Sequence, residues 1–538
     1  MSGGDASAQS LIRHGIDTVF GLPGAQIYGL FDAFARRASE LTVITPRHEQ
    51  TCAYMALGFH KASGRPSAYA VVPGPGMLNT SAALLTAYGC NAPVLCLTGQ
   101  VPRAFLGRGR GHLHEMPDQL ATLRLLTKWS ERIDRPADAP RIIDEAFRQM
   151  LSGRNGPAAI EAPWDYFTSM DDVTFPPIAP APAAPAVDLD QIERAARLVK
   201  QARAPLIVVG GGAMNASAAV VGLAELLGAP VMSFRSGRGI VSDDHDLGMT
   251  VASAYKLWPE TDVLIGIGTR LEITSWRWQL QPPGLRTIRI DIDPQEMRRF
   301  PADIEIVADA TDGAMCLTAA LRRLGAGGPG RRAAARAAKE ISAREIEAIQ
   351  PQMAFLKVIR AVLPRDGLFV DEISQVGFTS WFGFPVYAPR TFIGSGYQGT
   401  LGAGFPMALG VKVARPDKPV ISVTGDGGFM FGVQDLATAV QYGIGVVTIV
   451  FNNNAFGNVR RDQQVEFAGR VIGSDLRNPD FLKLADAFGV PGARASTPAQ
   501  LQAALERALE ESGPSLIEVP VERGAETSPW RFLQPPPP

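Results

Sequence analysis

Cysteine is nearly absent: the 538-residue chain carries 4, namely Cys52, Cys90, Cys96 and Cys316. None stands in a C-x-x-C spacing, so neither a zinc ribbon nor a disulfide scaffold is available, and four reduced, mostly buried thiols are expected. An excess of charge of one sign is lacking too. The 52 basic residues stand against 53 acidic ones for a net charge of −1, and they are spread along the chain, so nothing marks a nucleic-acid or acidic-membrane surface and no nucleic-acid partner is expected. No apolar run reaches the roughly 20 residues that span a bilayer. The first residues, MSGGDASAQSLIRHGIDTVFG, lack a basic segment followed by an apolar one. Together these absences predict a cytoplasmic protein with no membrane partner.

What the chain has in quantity is an alternation of Val- and Ile-rich runs with Ala-rich stretches, the pattern of α/β domains with parallel sheets. The length allows about three or four domains, and three blocks are visible. The expected fold class is therefore α/β, with three doubly wound parallel-sheet domains. The first block spans residues 1–165. A Pro-rich segment, 166–187, containing Phe175-Pro176-Pro177-Ile178-Ala179-Pro180, reads as an extended linker. The second block spans 188–325, with strands expected at 205–209, 263–267 and 287–292. A Gly/Arg/Ala-rich segment, 326–341, reads as a second linker. The third block spans 342–525, and residues 526–538, ending in four prolines, read as an extended tail.

The third block holds the most informative stretch. Residues 419–424 (PVISVT) read as a buried strand ending in Gly425-Asp426-Gly427-Gly428, where the missing side chains let a phosphate approach the backbone. Residues 433–440 read as a helix whose amino end, with the N–H groups of the turn, would face an anion. A second strand, 446–451, delivers Asn452-Asn453-Asn454 to the same end of the sheet, with Asn453 placed 27 residues after Asp426. That is a βαβ unit with polar groups at its switch point. One carboxylate, one amide oxygen and a backbone carbonyl suit Mg²⁺, which takes hard oxygen donors and shares them with phosphates. Alone, the glycines would read as a turn and the asparagines as a polar loop. The spacing, with Leu436 and Phe456-Gly457 at fixed offsets, favours a site.

This motif resembles the diphosphate- and metal-binding signature of thiamine-diphosphate (ThDP) enzymes. Other stretches, in order, resemble the acetolactate synthase-like members of that family: Val19-Phe20-Gly21-Leu22-Pro23-Gly24, Arg47-His48-Glu49 with its following helix, Gly74-Pro75-Gly76-Met77-Leu78-Asn79, and Leu97-Thr98-Gly99-Gln100-Val101. So do Val370-Asp371-Glu372-Ile373-Ser374-Gln375 and the Gly396 to Pro406 loop. Benzoylformate decarboxylase and 2-hydroxyacyl lyases are further relatives of this pattern. The resemblance covers essentially the whole chain and implies that the blocks are, in order, pyrimidine-binding, middle nucleotide-fold and diphosphate-binding domains.

By that resemblance Asp426, Asn453 and the Ala455 carbonyl would hold Mg²⁺. Gly425, Gly427, Gly428, Ser374 and Gln375 would surround the diphosphate. Gly399 and Leu401 would cradle the aminopyrimidine, with Leu401 bending the cofactor. Pro23, Gly24, Gly76 and Asn79 would complete the cofactor site from the first domain. Glu49 would activate the cofactor by hydrogen-bonding its aminopyrimidine ring, and Gln100 and His114 would act on the substrate. His112 could share the proton-donor role of His114, and Arg108 and Arg110 could hold a substrate carboxylate.

The activity implied is decarboxylation of a 2-oxo acid followed by ligation of the resulting carbanion equivalent to a second carbonyl. Simple decarboxylation, cleavage of an acyloin or 2-hydroxyacyl substrate, and a non-catalytic binding subunit are the alternatives. Two departures bear on the choice. Residues 111–119 lack the Phe-Gln-Glu segment of acetolactate synthases, and Gly457-Asn458-Val459-Arg460-Arg461-Asp462-Gln463-Gln464 lacks their acceptor-side Trp. The family's cofactor lies between the first domain of one subunit and the third of another, which implies a homodimer, commonly doubled to a tetramer. In the middle domain, Gly210-Gly211-Gly212, Gly268-Thr269-Arg270 and Ile290-Asp291-Ile292-Asp293-Pro294 resemble the flavin- or ADP-holding fold, and FAD there is left open.

Overall fold

The computed structural model describes residues 1–328 and 330–535. Its strands are short, and central ones such as those at Ser67–Val71, Pro205–Val209 and Val263–Ile267 are buried along their whole length, as strands covered by helices on either side must be. Six of them, β1 (Thr18–Gly21), β2 (Thr42–Ile44), β3 (Ser67–Val71), β4 (Val94–Gln100), β5 (Trp129–Arg132) and β6 (Ala158–Pro163), form the first sheet in the order β2-β1-β3-β4-β6-β5. The second sheet contains β7 (Pro205–Val209), β8 (Val231–Ser233), β9 (Gly248–Met249), β10 (Val263–Ile267), β11 (Arg286–Asp291) and β12 (Ile304–Val307) in the order β12-β11-β10-β7-β8-β9. The third contains β13 (Leu368–Val370), β14 (Phe392–Ile393), β15 (Val420–Gly425), β16 (Val446–Asn452), β17 (Gly492–Arg494) and β18 (Ser515–Pro520) in the order β14-β13-β15-β16-β18-β17. Neighbouring strands pair in parallel in each sheet. The fold is thus α/β with three doubly wound sheets.

The first and third sheets share one strand order, and the middle sheet has the dinucleotide-fold order. The repeat between the outer units is not detectable in the residues, because a parallel sheet constrains only apolar character at each strand position. In both outer units the order reverses between the first and third strands, the point at which open α/β sheets take their ligands beyond the carboxyl ends of the strands.

Two expectations need correction. The segment 326–341, expected as a linker, is largely occupied by a helix, Arg332–Glu347, that buries Ala335, Ala338 and Ile346. Alanine-rich sequence there provides a helix face rather than flexibility. The tail from 526 was expected to be extended. Instead a short 3₁₀ turn, Trp530–Phe532, packs on the core, with Leu533 fully buried and the half-buried Trp530 ring tilted against Phe378 and edge-on to Trp381. Residues 536–538 of that expectation lie outside the described residues. Residues 171–187 carry no helix or strand.

The first and third units are locked together by two crossing helices, Glu49–Ser63 and Gly404–Ala414. A Cβ at Gly58 would sit 2.1 Å from the Met407 carbonyl oxygen, and one at Gly410 would sit 1.9 Å from that of Met55. Only glycine permits such backbone contact. Among the described residues no helix is long and apolar enough to cross a membrane.

Candidate active site

The register of the third sheet assembles the first half of the site. Gly425 pairs with Phe451 across β15 and β16, so Asp426 and Asn453 emerge side by side at the carboxyl ends of adjacent strands. The helix following the glycines starts earlier than expected: Gly425 is its N-cap and Asp426–Phe429 its single turn, before the expected helix, which begins as a 3₁₀ turn at Val433–Asp435. The start moves because Gly427 and Gly428 leave room. A Cβ there would lie 2.5 Å from the Phe456 ring or 2.6 Å from Glu372 Oε1.

Asp426 is buried and accepts a hydrogen bond from Asn478 Nδ2 at 2.6 Å. Burial raises its pKa, opposed by the Asn478 amide and by the N–H groups of Gly427 and Ala455. Asn453 Oδ1 accepts from that same Ala455 N–H at 3.0 Å. With Gly425 paired to Phe451, the carboxylate and the carboxamide oxygen leave adjacent strand ends as two hard donors. Asn453 Nδ2 donates to Glu526 Oε2 at 2.6 Å. Burial, with Asp426 adding in the same direction against the pull of the Asn453 amide, pushes Glu526 up to about 7. The Asp426 carboxylate and the Asn453 carboxamide oxygen, with the Ala455 carbonyl two residues on, are hard oxygen donors of the kind that fit Mg²⁺.

Ser374 lies beside Gly425, whose Cβ would be 3.4 Å from that of Ser374. Its hydroxyl caps the helix Gln375–Gly383 by accepting from Gly377 N at 3.1 Å. Gln375 Oε1 is buried without a partner, a free acceptor at the same edge. Gly399 and Gly402 have left-handed backbones, with φ of 56° and 83°, and Leu401 between them is half-buried.

The second half of the site belongs to the first unit. Glu49 opens the helix Glu49–Ser63 and is half-buried. Its Oε2 accepts from Asn79 Nδ2 at 3.0 Å, and a Cβ at Gly76 would lie 3.4 Å from its Oε1. Gly24 and Gly76 flank Val72, each with room for no side chain beside it, and Pro23 is exposed next to them. The structure thus gathers Pro23, Gly24, Gly76, Asn79 and Glu49. His114 joins this loop cluster through Nδ1 and Gln26 Oε1, 2.9 Å apart, while Gln26 Nε2 donates to Leu113 O.

Gln100 is placed differently. It is buried, its Oε1 accepts from Val101 N at 2.7 Å, and its Nε2 donates to Glu161 at 3.3 Å. Glu161 also accepts from Gln119 and Arg132, and Gln119 Oε1 takes the N–H of Gly74 at 2.8 Å. Gln100 belongs to this internal network, which braces the Gly74 loop. Arg108 and Arg110 are exposed, and the His112 ring packs on Phe105.

Sequence reasoning gave no role to Glu372, Asn478, Glu526, Gln26 or Gln119. Glu372 is fully enclosed, accepting from the Gly402 N–H and the Thr424 hydroxyl. Burial drives its pKa up to about 7, against those two hydrogen bonds. Its place after a strand was legible, but the glycines that make room for it, Gly404 and Gly428, come from distant segments.

Within one chain Glu49 and Asp426 share no hydrogen bond; the units meet instead through Arg47, Thr51 and Asp435. A separate cleft of about 460 Å³ lies where the middle unit meets the other two, lined by Gly210, Gly268 and Arg270 of the middle unit, Lys61 and Gly89 of the first and Tyr397 of the third among others. Its two glycine loops touch, since a Cβ at Gly210 would be 2.5 Å from Gly268 O.

Family models match each unit: "Thiamine pyrophosphate enzyme, N-terminal TPP binding domain" over residues 1–122, the central domain over 192–317 and the C-terminal TPP binding domain over 372–519. A probable acetolactate synthase large subunit of Methanocaldococcus jannaschii is 32% identical, covering 97% of this chain and 92% of that protein. A probable 2-ketoarginine decarboxylase of Pseudomonas aeruginosa is 31% identical, covering 96% and 94% respectively. The acetolactate synthase large subunit of Haemophilus influenzae is 31% identical, covering 95% and 92%. Likeness of this extent runs through all three sheets and through both halves of the site, and the chain accordingly belongs to the ThDP-dependent enzymes of the acetolactate synthase type.

Proposed function

We propose that the protein is a Mg²⁺- and ThDP-dependent enzyme that decarboxylates a 2-oxo acid and joins the product to a second carbonyl. The observation that carries this reading is the placement of Asp426 and Asn453 at the ends of the adjacent, paired strands β15 and β16. When bound, ThDP supplies a thiazolium carbon that, once deprotonated, adds to a carbonyl and takes up the electron pair freed by C–C cleavage. Asp426, Asn453 and the Ala455 carbonyl would hold the metal; Gly425, Gly427 and Gly428 would admit the diphosphate, with Ser374 and Gln375 at its edge. Gly399 and Leu401 would meet the aminopyrimidine. Glu49, held by Asn79, would hold the proton exchanged at that ring's nitrogen. His114, oriented by Gln26, is the proton donor to substrate, and Gln100 is read as a brace for the Gly74 loop.

Because Glu49 and Asp426 lie in separate halves, a second copy would complete each site, so the minimal unit is a homodimer, with a tetramer as its doubled form. Exposed apolar side chains stand beside both halves: Leu78 next to Asn79, and Met430 and Phe431 next to the single-turn helix Asp426–Phe429. The middle cleft suits a nucleotide of the FAD or ADP class, and flavin absorbance of the purified protein tests FAD. Four free cysteines favour a cytoplasmic setting.

A second reading is simple decarboxylation. The chain's likeness to a probable 2-ketoarginine decarboxylase is as extensive as its likeness to the synthases, and the acceptor-side Trp of the synthases is missing from residues 457–464. The test is incubation with ThDP, Mg²⁺ and a panel of 2-oxo acids including pyruvate, with CO₂ release and products followed. Acetolactate from pyruvate supports the ligase. An aldehyde product from another acid supports the decarboxylase, and no CO₂ from any acid rejects both.

A further inference from the structure

We propose that Glu526, from the C-terminal segment, is a positioning residue for the metal: it fixes which face of the Asn453 carboxamide is presented to the cation. This rests on the reading of Asp426 and Asn453 as metal ligands.

A carboxamide has two ends of nearly equal shape and opposite hydrogen-bonding character. Before a cation binds, a free Asn453 side chain could point its NH₂ into the site as readily as its oxygen, and binding would have to turn it. Glu526 removes that freedom. Its Oε2 stands 2.6 Å from Asn453 Nδ2, so the NH₂ end is claimed and Oδ1 is left facing the Ala455 N–H, beside Asp426. Gly457 makes the arrangement possible, because a Cβ there would come 2.7 Å from Asn453 Nδ2 and 3.6 Å from Glu526 Oε2.

The segment carrying Glu526 is anchored on both sides. Upstream, Arg523 donates to the main-chain oxygens of Asn454 at 2.8 Å and Asn453 at 3.4 Å. Downstream, Thr527 bonds Gln350 and Gln352, and Trp530 donates to Asn458 at 2.8 Å while its ring lies tilted against Phe378. The strap therefore holds the Asn453 loop by its backbone and aligns its ligand by the side chain. Groups that orient a metal ligand in this way typically contribute about 10–100-fold to metal affinity.

The test is Mn²⁺ binding to the full-length protein at saturating ThDP, read by electron paramagnetic resonance rather than by turnover. Glu526→Ala and Glu526→Leu should each weaken Mn²⁺ binding about 10–100-fold. Added formate, an acceptor small enough for the vacated space, should restore much of the loss in Glu526→Ala. Leu fills the space and keeps the segment packed, so the apo-protein melting temperature of Glu526→Leu should stay near that of the unaltered chain. Tight Mn²⁺ binding by either folded variant would overturn the proposal. Failure of the unaltered protein to bind Mn²⁺ with ThDP would reject the metal reading and this inference with it.

Discussion

The carboxylate of Asp435, in the third unit, accepts the hydroxyl of Thr51, in the first, at 2.5 Å. Its other oxygen takes the main-chain N–H of Arg47 at 2.7 Å and the Thr438 hydroxyl at 2.8 Å. Arg47 and Thr51 bracket Glu49, so the entry of the Glu49 helix is set by a side chain almost 400 positions away. Asp435→Ala would orphan these buried donors and cost about 1–3 kcal/mol. A denaturant midpoint equal to that of the unaltered protein would show that the contact carries no stability.

The crossing of the helices Glu49–Ser63 and Gly404–Ala414 admits no methyl group at Gly410, because the obstacle is the Met55 main chain and cannot rotate away. Gly410→Ala is expected to destabilise by about 1–3 kcal/mol or more. Gly222, whose Cβ would meet nothing within 4 Å, is the control: Ala there should be neutral or slightly stabilising, and equal melting temperatures for the two variants would contradict the account.

Glu49→Gln should leave ThDP bound while slowing exchange of the cofactor's C2 proton by about 10²–10⁴-fold. Exchange followed by NMR in deuterated buffer measures this directly. Exchange at the unaltered rate would remove Glu49 from the mechanism.

Glu372 gives the protein a pH dependence of definite sign. Its folded pKa, about 7, is above its ordinary 4.5, so the folded state binds the proton more tightly than the unfolded one. Stability from this group is fully present below about pH 4.5 and is lost as pH rises through 7. Glu372→Gln, neutral at every pH, should flatten that part of the stability profile of the apo protein. Parallel profiles for variant and unaltered protein between pH 5 and 8 would refute it.

The βαβ unit around Asp426 was legible because β-branched runs, glycines and the Asn run are local signals, each with its own physical reason. Strands at Pro205–Val209 and Val263–Ile267 were legible for the same reason. The tail was misread: four terminal prolines suggested extension, while Phe532 and Leu533 had a core to enter that no local pattern reveals. Gln100 was read toward the substrate from its place in a strand-end motif; its hydrogen bond to Glu161 on the neighbouring strand is a contact that no local motif displays.

What the residues determined by themselves is the class of the fold, the phosphate-admitting glycines and the oxygen donors near Asp426, since backbone conformation and ligand chemistry are properties of residue types and short spacings. What only the tertiary structure decided is which of these groups meet. The common strand order of the outer units, the burial of Glu372, the grip of Glu526 on Asn453 and the hold of Asp435 on the Glu49 helix all depend on segments far apart in the chain. Such contacts are fixed by sheet register and close packing, which one sequence does not display.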